Sequence, residues 1–397
     1  MRASWVAPDP RAVRAAVPGG EDVAGAVAEI LAGVRDGGDA ALHEYARRFD
    51  GAEPRRVQPT LDGIDPTLKS GLEAAAANVR LVAEAGVREP REVTLPQGHT
   101  VLLREEPVAR AAVYVPGGRA PYPSTVLMGV VTARAAGVGE VLVCTPDPHP
   151  AVLAACALAG ADELLAMGGA HAVAALAYGT ETIAPVDVIV GPGNLYVQEA
   201  KRQVSGIVGI DGFAGPSDLV VLFTADPDLA AADLAAQAEH GEGSVVIAVS
   251  TERSLLVRVE ERLNAVESAA QAFLVEVGDA EQGLAFAEGF APEHLELIGA
   301  EMEALAARVR RAGCLFVGAQ SATAFGDYVA GSNHVLPTGG AARFASALGP
   351  GHFRRRLSEV RIGPAAAALT AAAVPIARAE GFELHARSME VRENGGP

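Results

Sequence analysis

An acid and an imidazole stand side by side in the segment PEHLE at 292–296. Read as a loop, it lets Glu293 and His294 reach one cleft and divide two proton-transfer roles between them. Histidine suits such work because its free pKa lies at about 6.5. A second cluster is QAEHG at 237–241. Gln237 and His240 are i and i+3, so a helix puts them on one face, and both can offer a lone pair to a metal. The same histidine followed by glycine also fits an ordinary helix end. The segment GDYVAGSNHVLPT at 326–338 gathers Asp327, Tyr328, Ser332, Asn333 and His334 in a glycine-punctuated polar loop, the kind of connection that carries function. Near the C-terminus EGFELH holds Glu380 and His385, which by themselves read as solvated helix-end residues. Two glycine turns complete the inventory: Pro116-Gly117-Gly118, and the GPGN of 191–194 that ends in Asn194. Each follows an apolar run and brings flexible backbone to the carboxyl end of a strand, where open α/β sheets bind ligands. No G-x-G-x-x-G is present, so the usual dinucleotide fingerprint is absent.

These groups have to be positioned by an alternating framework. Residues 21–35 and 68–86 have helical apolar spacing, and Gly37-Gly38 is expected to stop the first helix. From about 110, short β-branched runs at 110–115, 140–144, 162–166 and 187–190 alternate with helical stretches at 124–136, 150–159 and 169–178. A second series places strands at 218–223, 244–249, 272–276 and 314–317, with helices at 228–240, 251–266, 279–288 and 300–311. Such alternation implies parallel sheets covered on both faces. The tail from about 350 is Arg-rich and reads as helical, without a strand signal.

Composition narrows the function. Half of the 397 residues are hydrophobic, enough for two or three domains, and the formal net charge is −17. That charge opposes non-specific binding of nucleic acid. No run approaches a membrane span, and the N-terminus has no secretory apolar region. Cys144, Cys156 and Cys314 are odd in number and lie in apolar segments, which fits a reducing cytosol and a cytoplasmic enzyme. Cys144, at a strand end, is the one cysteine placed to act as a nucleophile, and its apolar surroundings assign it to packing.

Together, the segments VYVPGGRAPYPSTVLM (113–128), MGGAHAVAALAYGTE (167–181), VGPGNLYVQEAKRQV (190–204), DGFAGPSD (211–218), QAEHG, PEHLE, GDYVAGSNHVLPTGG (326–340) and EGFELHARSMEVR (380–392) resemble the histidinol dehydrogenase family. The likeness spans about the whole chain and is weaker before residue 100. It implies zinc held by Gln237, His240, Asp327 and His385, a set without thiolate. It implies substrate contacts from Ser217, His334 and Glu380 besides the metal ligands and His294, the catalytic pair Glu293–His294, and NAD contacts from Tyr114, His171 and Asn194. The reaction it implies is oxidation of L-histidinol to L-histidine through the aldehyde, with two NAD. His171 stands where the family usually has glutamine, and GPSD at 215–218 replaces the commoner GPSE.

The expected fold is two incomplete Rossmann-like, doubly wound α/β domains with an N-terminal helical segment and a C-terminal helical arm. Residues 1–113 and 218–349 would form the larger domain, 114–217 an inserted domain that contacts NAD, and 350–397 an arm exchanged in a homodimer. One alternative is a paralogous zinc alcohol dehydrogenase for another small amino alcohol or polyol, against which Glu380 and His334 speak. Another is an inactive scaffold, against which the intact ligand set and Glu293–His294 speak.

Overall fold

The structure is a computed structural model that describes residues 1–17, 22–117, 120–212 and 215–393; Gly118 of the expected glycine turn lies outside them. The chain forms two compact units, Met1–Gly86 with Val108–Phe353, and Val87–Pro107 with Arg354–Pro397.

The first unit holds two six-stranded sheets. The first sheet runs Arg55–Val57, Glu163–Ala166, Glu140–Thr145, Arg110–Tyr114, Val188–Val190, Gly209–Ile210. Its strands are parallel except for the edge strand Arg55–Val57. The second runs Ala3–Val6, Gln271–Glu276, Val245–Ser250, Asp218–Phe223, His294–Ile298, Cys314–Val317 and is parallel throughout. In each sheet the strand order reverses at a central strand, Arg110–Tyr114 or Asp218–Phe223.

Continuous apolar runs such as DLVVLF are buried at every position, as parallel strands covered on both faces must be. One face of the first sheet packs its Val113, Val143 and Val190 against Pro66–Ala85, Pro123–Ala135 and Pro150–Ala159. The other packs Ala112, Leu142 and Ile189 against Ala24–Phe49, Gly169–Tyr178 and Leu195–Val204. The second sheet is covered likewise, by Pro10–Ala16 and Ala280–Phe290 on one side and by Pro227–Ala238 and Arg253–Asn264 on the other. Prolines 10, 66, 123, 150 and 227 open their helices at the first turn, where a missing N–H costs nothing.

Two expectations need correction. Residues 1–113 do not join the second sheet as a block. Ala24–Phe49 packs on Gly169–Tyr178, and Pro66–Ala85 on Pro123–Ala135, so among the described residues of this segment the strand Ala3–Val6 and the helix Pro10–Ala16 are the elements that belong with the second sheet. The first helix stops at Gly37-Gly38 as expected: Gly38, with φ 55° and ψ −141°, lies outside the helical range, and a further helical run continues from there to Phe49. Glu181 accepts the Asp39 N–H there at 2.7 Å and steadies the break.

The second correction lies in the second unit. Its tail begins with a strand, Arg354–Arg361, antiparallel to Thr100–Pro107, which pairs on its other side with Arg91–Thr94. Cross-strand charges hold this sheet: Glu105 lies 3.4 Å from Arg356, and Glu359 3.6 Å from Arg104. The helices Ala366–Ala379 and Glu383–Glu390 follow and pack on each other. No described helix is long and apolar enough to cross a membrane.

Candidate active site

Glu293 and His294 lie where the second sheet begins, not on a surface loop. Ala291 ends the helix Ala280–Phe290 in the left-handed region, and Pro292 leads directly into the strand His294–Ile298. That strand pairs with Asp218–Phe223, so His294 stands opposite Leu219 at the amino edge of the sheet. Both residues are buried, at 5% and 3% exposure. Glu293 and Asp218 grip each other twice: the Glu293 N–H donates to Asp218 Oδ1 at 2.7 Å, and the Asp218 N–H donates to Glu293 Oε2 at 3.0 Å. Arg14, from the first helix, donates to Asp218 Oδ2 at 2.9 Å and to the Phe290 carbonyl at 2.7 Å. The Ser217 hydroxyl also hydrogen-bonds Glu293.

This setting pushes the two neighbours in opposite directions. Burial, then the nearby Asp218 carboxylate, raises Glu293 well above the ordinary carboxylate range. Burial, then the nearby His240, lowers His294 to about 4. The imidazole is therefore neutral at pH 7; its Nδ1 lies 3.8 Å from Glu293 Oε2 and has no hydrogen-bond partner among the described residues. Two titratable neighbours pushed apart in this way have the signature of an acid–base pair.

The helix Pro227–Ala238 returns to the same edge and carries Gln237, which is buried, in its last turn; Gln237 Nε2 lies 3.1 Å from His240 Nδ1. Asp327 sits on the short helix Thr323–Tyr328, which packs against Pro227–Ala238. The expected long loop is thus helical in its first part. Burial alone raises Asp327 to about 6, with no cation answering it. Among the described residues, no three histidine, cysteine, aspartate or glutamate side chains close into a metal cluster. The Gln237–His240 pair and the uncompensated Asp327 are still nitrogen and oxygen donors of the kind zinc accepts.

His334 joins the two sheets. Its Nδ1–H donates to the Asp327 carbonyl at 2.9 Å, which leaves Nε2 to accept from the Thr125 hydroxyl at 3.3 Å. Thr125 opens the helix that follows the central strand of the first sheet. Burial lowers His334 to about 4. Asn333 is structural: its amide donates to the Met128 carbonyl and the Thr132 hydroxyl and staples the loop to that helix.

The expected NAD contacts lie along the carboxyl edge of the first sheet. Tyr114 is buried and its hydroxyl accepts the Gly169 N–H at 3.0 Å. His171 is 1% exposed and its Nε2 lies 3.0 Å from Asp50 Oδ2, which also accepts the Gly168 N–H. Asn194 is exposed and caps the helix Leu195–Val204 by accepting the Val197 N–H. Cys144 is fully buried with its thiol pKa raised by burial, so it is packing. Glu380 and His385 belong to the second unit. Glu380 follows the helix Ala366–Ala379, and His385 lies on Glu383–Glu390 beside Phe382; both are exposed. Sequence reasoning missed Arg14, Asp50 and Thr125. It noticed Asp218 only as an unusual residue, although its place beside Ser217 in GPSD was a usable signal.

A profile of the histidinol dehydrogenase family matches residues 16–393. The chain is 42% identical over 395 residues to a protein named histidinol dehydrogenase from Pseudomonas putida, covering 92% of this chain and 90% of that one. It is 44% identical over 405 residues to one from Rhodospirillum rubrum, covering 95% and 93%. A crystal structure of histidinol dehydrogenase from Elizabethkingia anophelis superposes with a TM-score of 0.92 at 29% identity, covering 98% of each chain.

Proposed function

Because the chain belongs to the histidinol dehydrogenase family, an NAD-dependent group of oxidoreductases, we propose that it carries L-histidinol through the aldehyde to L-histidine with two NAD and one zinc per subunit. The observation that carries this reading is the buried Glu293–His294 pair with its opposed shifts.

In the first oxidation the substrate carbon gives up a hydride and its hydroxyl a proton. His294, neutral at pH 7, is the base for that proton. Water then adds to the aldehyde, and the hydrate gives up a second hydride and proton. Glu293 orients and activates that water, and His294 acts again. NAD, when bound, supplies the acceptor for both hydrides. Tyr114, His171 and Asn194 are the proposed NAD contacts; the capping bond uses the Asn194 oxygen and leaves the two amide N–H donors.

Gln237, His240 and Asp327, with His385, would hold the zinc, which when bound supplies a cation that orients the substrate's nitrogen donors. Ser217 and His334 would line the substrate, and Glu380 would answer its positive charge. Burial of Glu293 and Asp327 at one edge supports a cationic substrate, because burial holds each of these carboxyls above its ordinary pKa. The proposed assembly is a homodimer in which Glu380 and His385 complete the neighbour's site.

The test is stoichiometric. Two NADH should form per histidinol consumed, with histidine as the product. One NADH per histidinol, with aldehyde accumulating, would overturn the four-electron reading.

A further inference from the structure

Only two of the chain's 32 lysine and arginine residues are lysines, Lys69 and Lys201. Lys69 is half-buried, whereas Lys201 is 1% exposed and among the largest fully buried side chains. In so arginine-rich a chain, a buried lysine marks a place that takes a compact ammonium and has no room for a planar guanidinium. Lys201 lies on the helix Leu195–Val204 and pairs with Asp211, which is also buried.

The pair closes on one residue. Lys201 Nζ donates to the Gly191 carbonyl at 2.8 Å, while Asp211 Oδ2 accepts the Gly191 N–H at 2.7 Å. Both polar groups of Gly191 are thus held by the two halves of a single ion pair. Gly191 has φ 111°, and a side chain there would collide with the Tyr114 carbonyl. No other residue type fits, and the peptide has little freedom to turn. Burying two charges costs several kcal/mol per ion, and an apolar pair of similar size often packs at least as well. Stability is therefore a poor reason for the pair, and fixing the peptide a better one.

The held peptide opens the loop 191–194, at the carboxyl end of Val188–Val190. That strand adjoins the central strand Arg110–Tyr114, where the strand order of the first sheet reverses. Ligands bind open α/β sheets at such a reversal. The loop ends at Asn194, which caps the helix that carries Lys201, so the clamp and the cap fix both ends of one short segment.

We infer that Lys201 and Asp211 are positioning residues that hold the 191–194 loop in the shape that receives the dinucleotide. The inference rests on the assignment of this loop to NAD. The clamp preforms the binding edge, so its loss weakens cofactor binding more than it slows turnover once cofactor is saturating.

The test uses equilibrium NADH binding, followed by fluorescence without histidinol, on the full-length chain. The double variant Lys201→Met/Asp211→Asn removes both charges, so its unfolding midpoint should stay near that of the wild type. Its NADH affinity should fall about tenfold, the size of one or two lost hydrogen bonds. KM for NAD should rise in parallel and kcat should hold within a few-fold. Lys201→Gln/Asp211→Asn also leaves no charge unpaired and keeps an amide oxygen for the Gly191 N–H. It should show a smaller loss of the same kind, and it provides the readout if the first double variant folds poorly. A folded variant with unchanged NADH affinity overturns the clamp. Asn194→Ala separates the two claims. If it weakens NADH binding and the double variant does not, the loop binds NAD and the clamp is wrong. If it has no effect while the double variant weakens binding, the clamp stands and the direct Asn194 contact falls.

Discussion

A histidine buried neutral beside a buried carboxyl does two things at once: it makes a base, and it makes the folded state sensitive to acid. His294 is held at about 4 by burial, against about 6.5 for a free histidine. Between those values the unfolded chain binds a proton that the folded chain refuses, so stability is present above about pH 6.5 and is lost as the pH falls toward 4. His334, also lowered to about 4, adds a second contribution of the same sign. Glu293 contributes the opposite sign: its raised folded pKa favours the folded state in acid, and that gain fades above the ordinary carboxylate range. A comparison of wild type with His294→Asn cancels the shared terms. The variant's thermal midpoint should fall less steeply between pH 6.5 and 4, and parallel curves would show that His294 is not a buried neutral imidazole. The same substitution should slow both oxidation steps by about 10²–10⁴. Glu293→Gln should slow aldehyde oxidation more than alcohol oxidation, and equal losses in the two steps, measured from each substrate separately, would remove its assigned role with water.

At the scale of elements, the amino edge of the second sheet is assembled by parts that are far apart in sequence, and one of them reaches in from the N-terminus. Arg14 neutralises the buried Asp218, which holds the Glu293 backbone. Arg14→Met should therefore cost about 3 kcal/mol in urea unfolding by leaving a buried charge unpaired. Adding Asp218→Asn should recover most of that loss, since an amide oxygen still accepts the Glu293 N–H and no charge remains; additive losses would show that the two residues do not act as a pair. Nothing in the spacing of the sequence announced this link. The central parallel strands were legible because strands buried on both faces are plain apolar runs, as in DLVVLF and VVIAVS. The strand Arg354–Arg361 was not: RRRLSEVR carries its charges into cross-strand pairs with a partner about 250 residues away, and local pattern cannot see that partner. The neighbourhood of His294 and Glu293 was legible, but the strand that carries His294 was not. The run HLELI is a short strand whose buried histidine and Glu296 break the apolar signal. The Gln237–His240 contact was legible, because helix geometry alone makes i and i+3 neighbours, as the structure has them.

At the scale of the molecule, the open matter is which subunit supplies Glu380 and His385. The helices Ala366–Ala379 and Glu383–Glu390 bury a small apolar set, Val374, Ala377 and Ala386 with Met389 beside them. Ile376, Phe382, Leu384 and Val391 stay exposed on the same pair of helices. That much uncovered apolar surface on so small a core calls for cover from another surface. The family resemblance assigns that cover to a neighbouring subunit, with Glu380 and His385 entering its site. Exchange of a terminal element is an established route to symmetric dimers. The two arrangements differ in one countable respect. His294→Ala and His385→Ala homodimers should each be nearly inactive, because every site carries one defect whichever chain supplies His385. Co-expression with two different tags isolates the mixed dimer. With exchanged arms, one of its sites receives both defects and the other receives none, so the purified mixed dimer should recover about half of wild-type activity if the sites are independent. With arms kept in their own subunit, both sites still carry one defect and the mixed dimer stays as inactive as its parents. A mixed dimer that is intact by sedimentation, binds NADH like wild type and shows no recovery would therefore end the shared-site reading while leaving the zinc and acid–base assignments to be tested on their own.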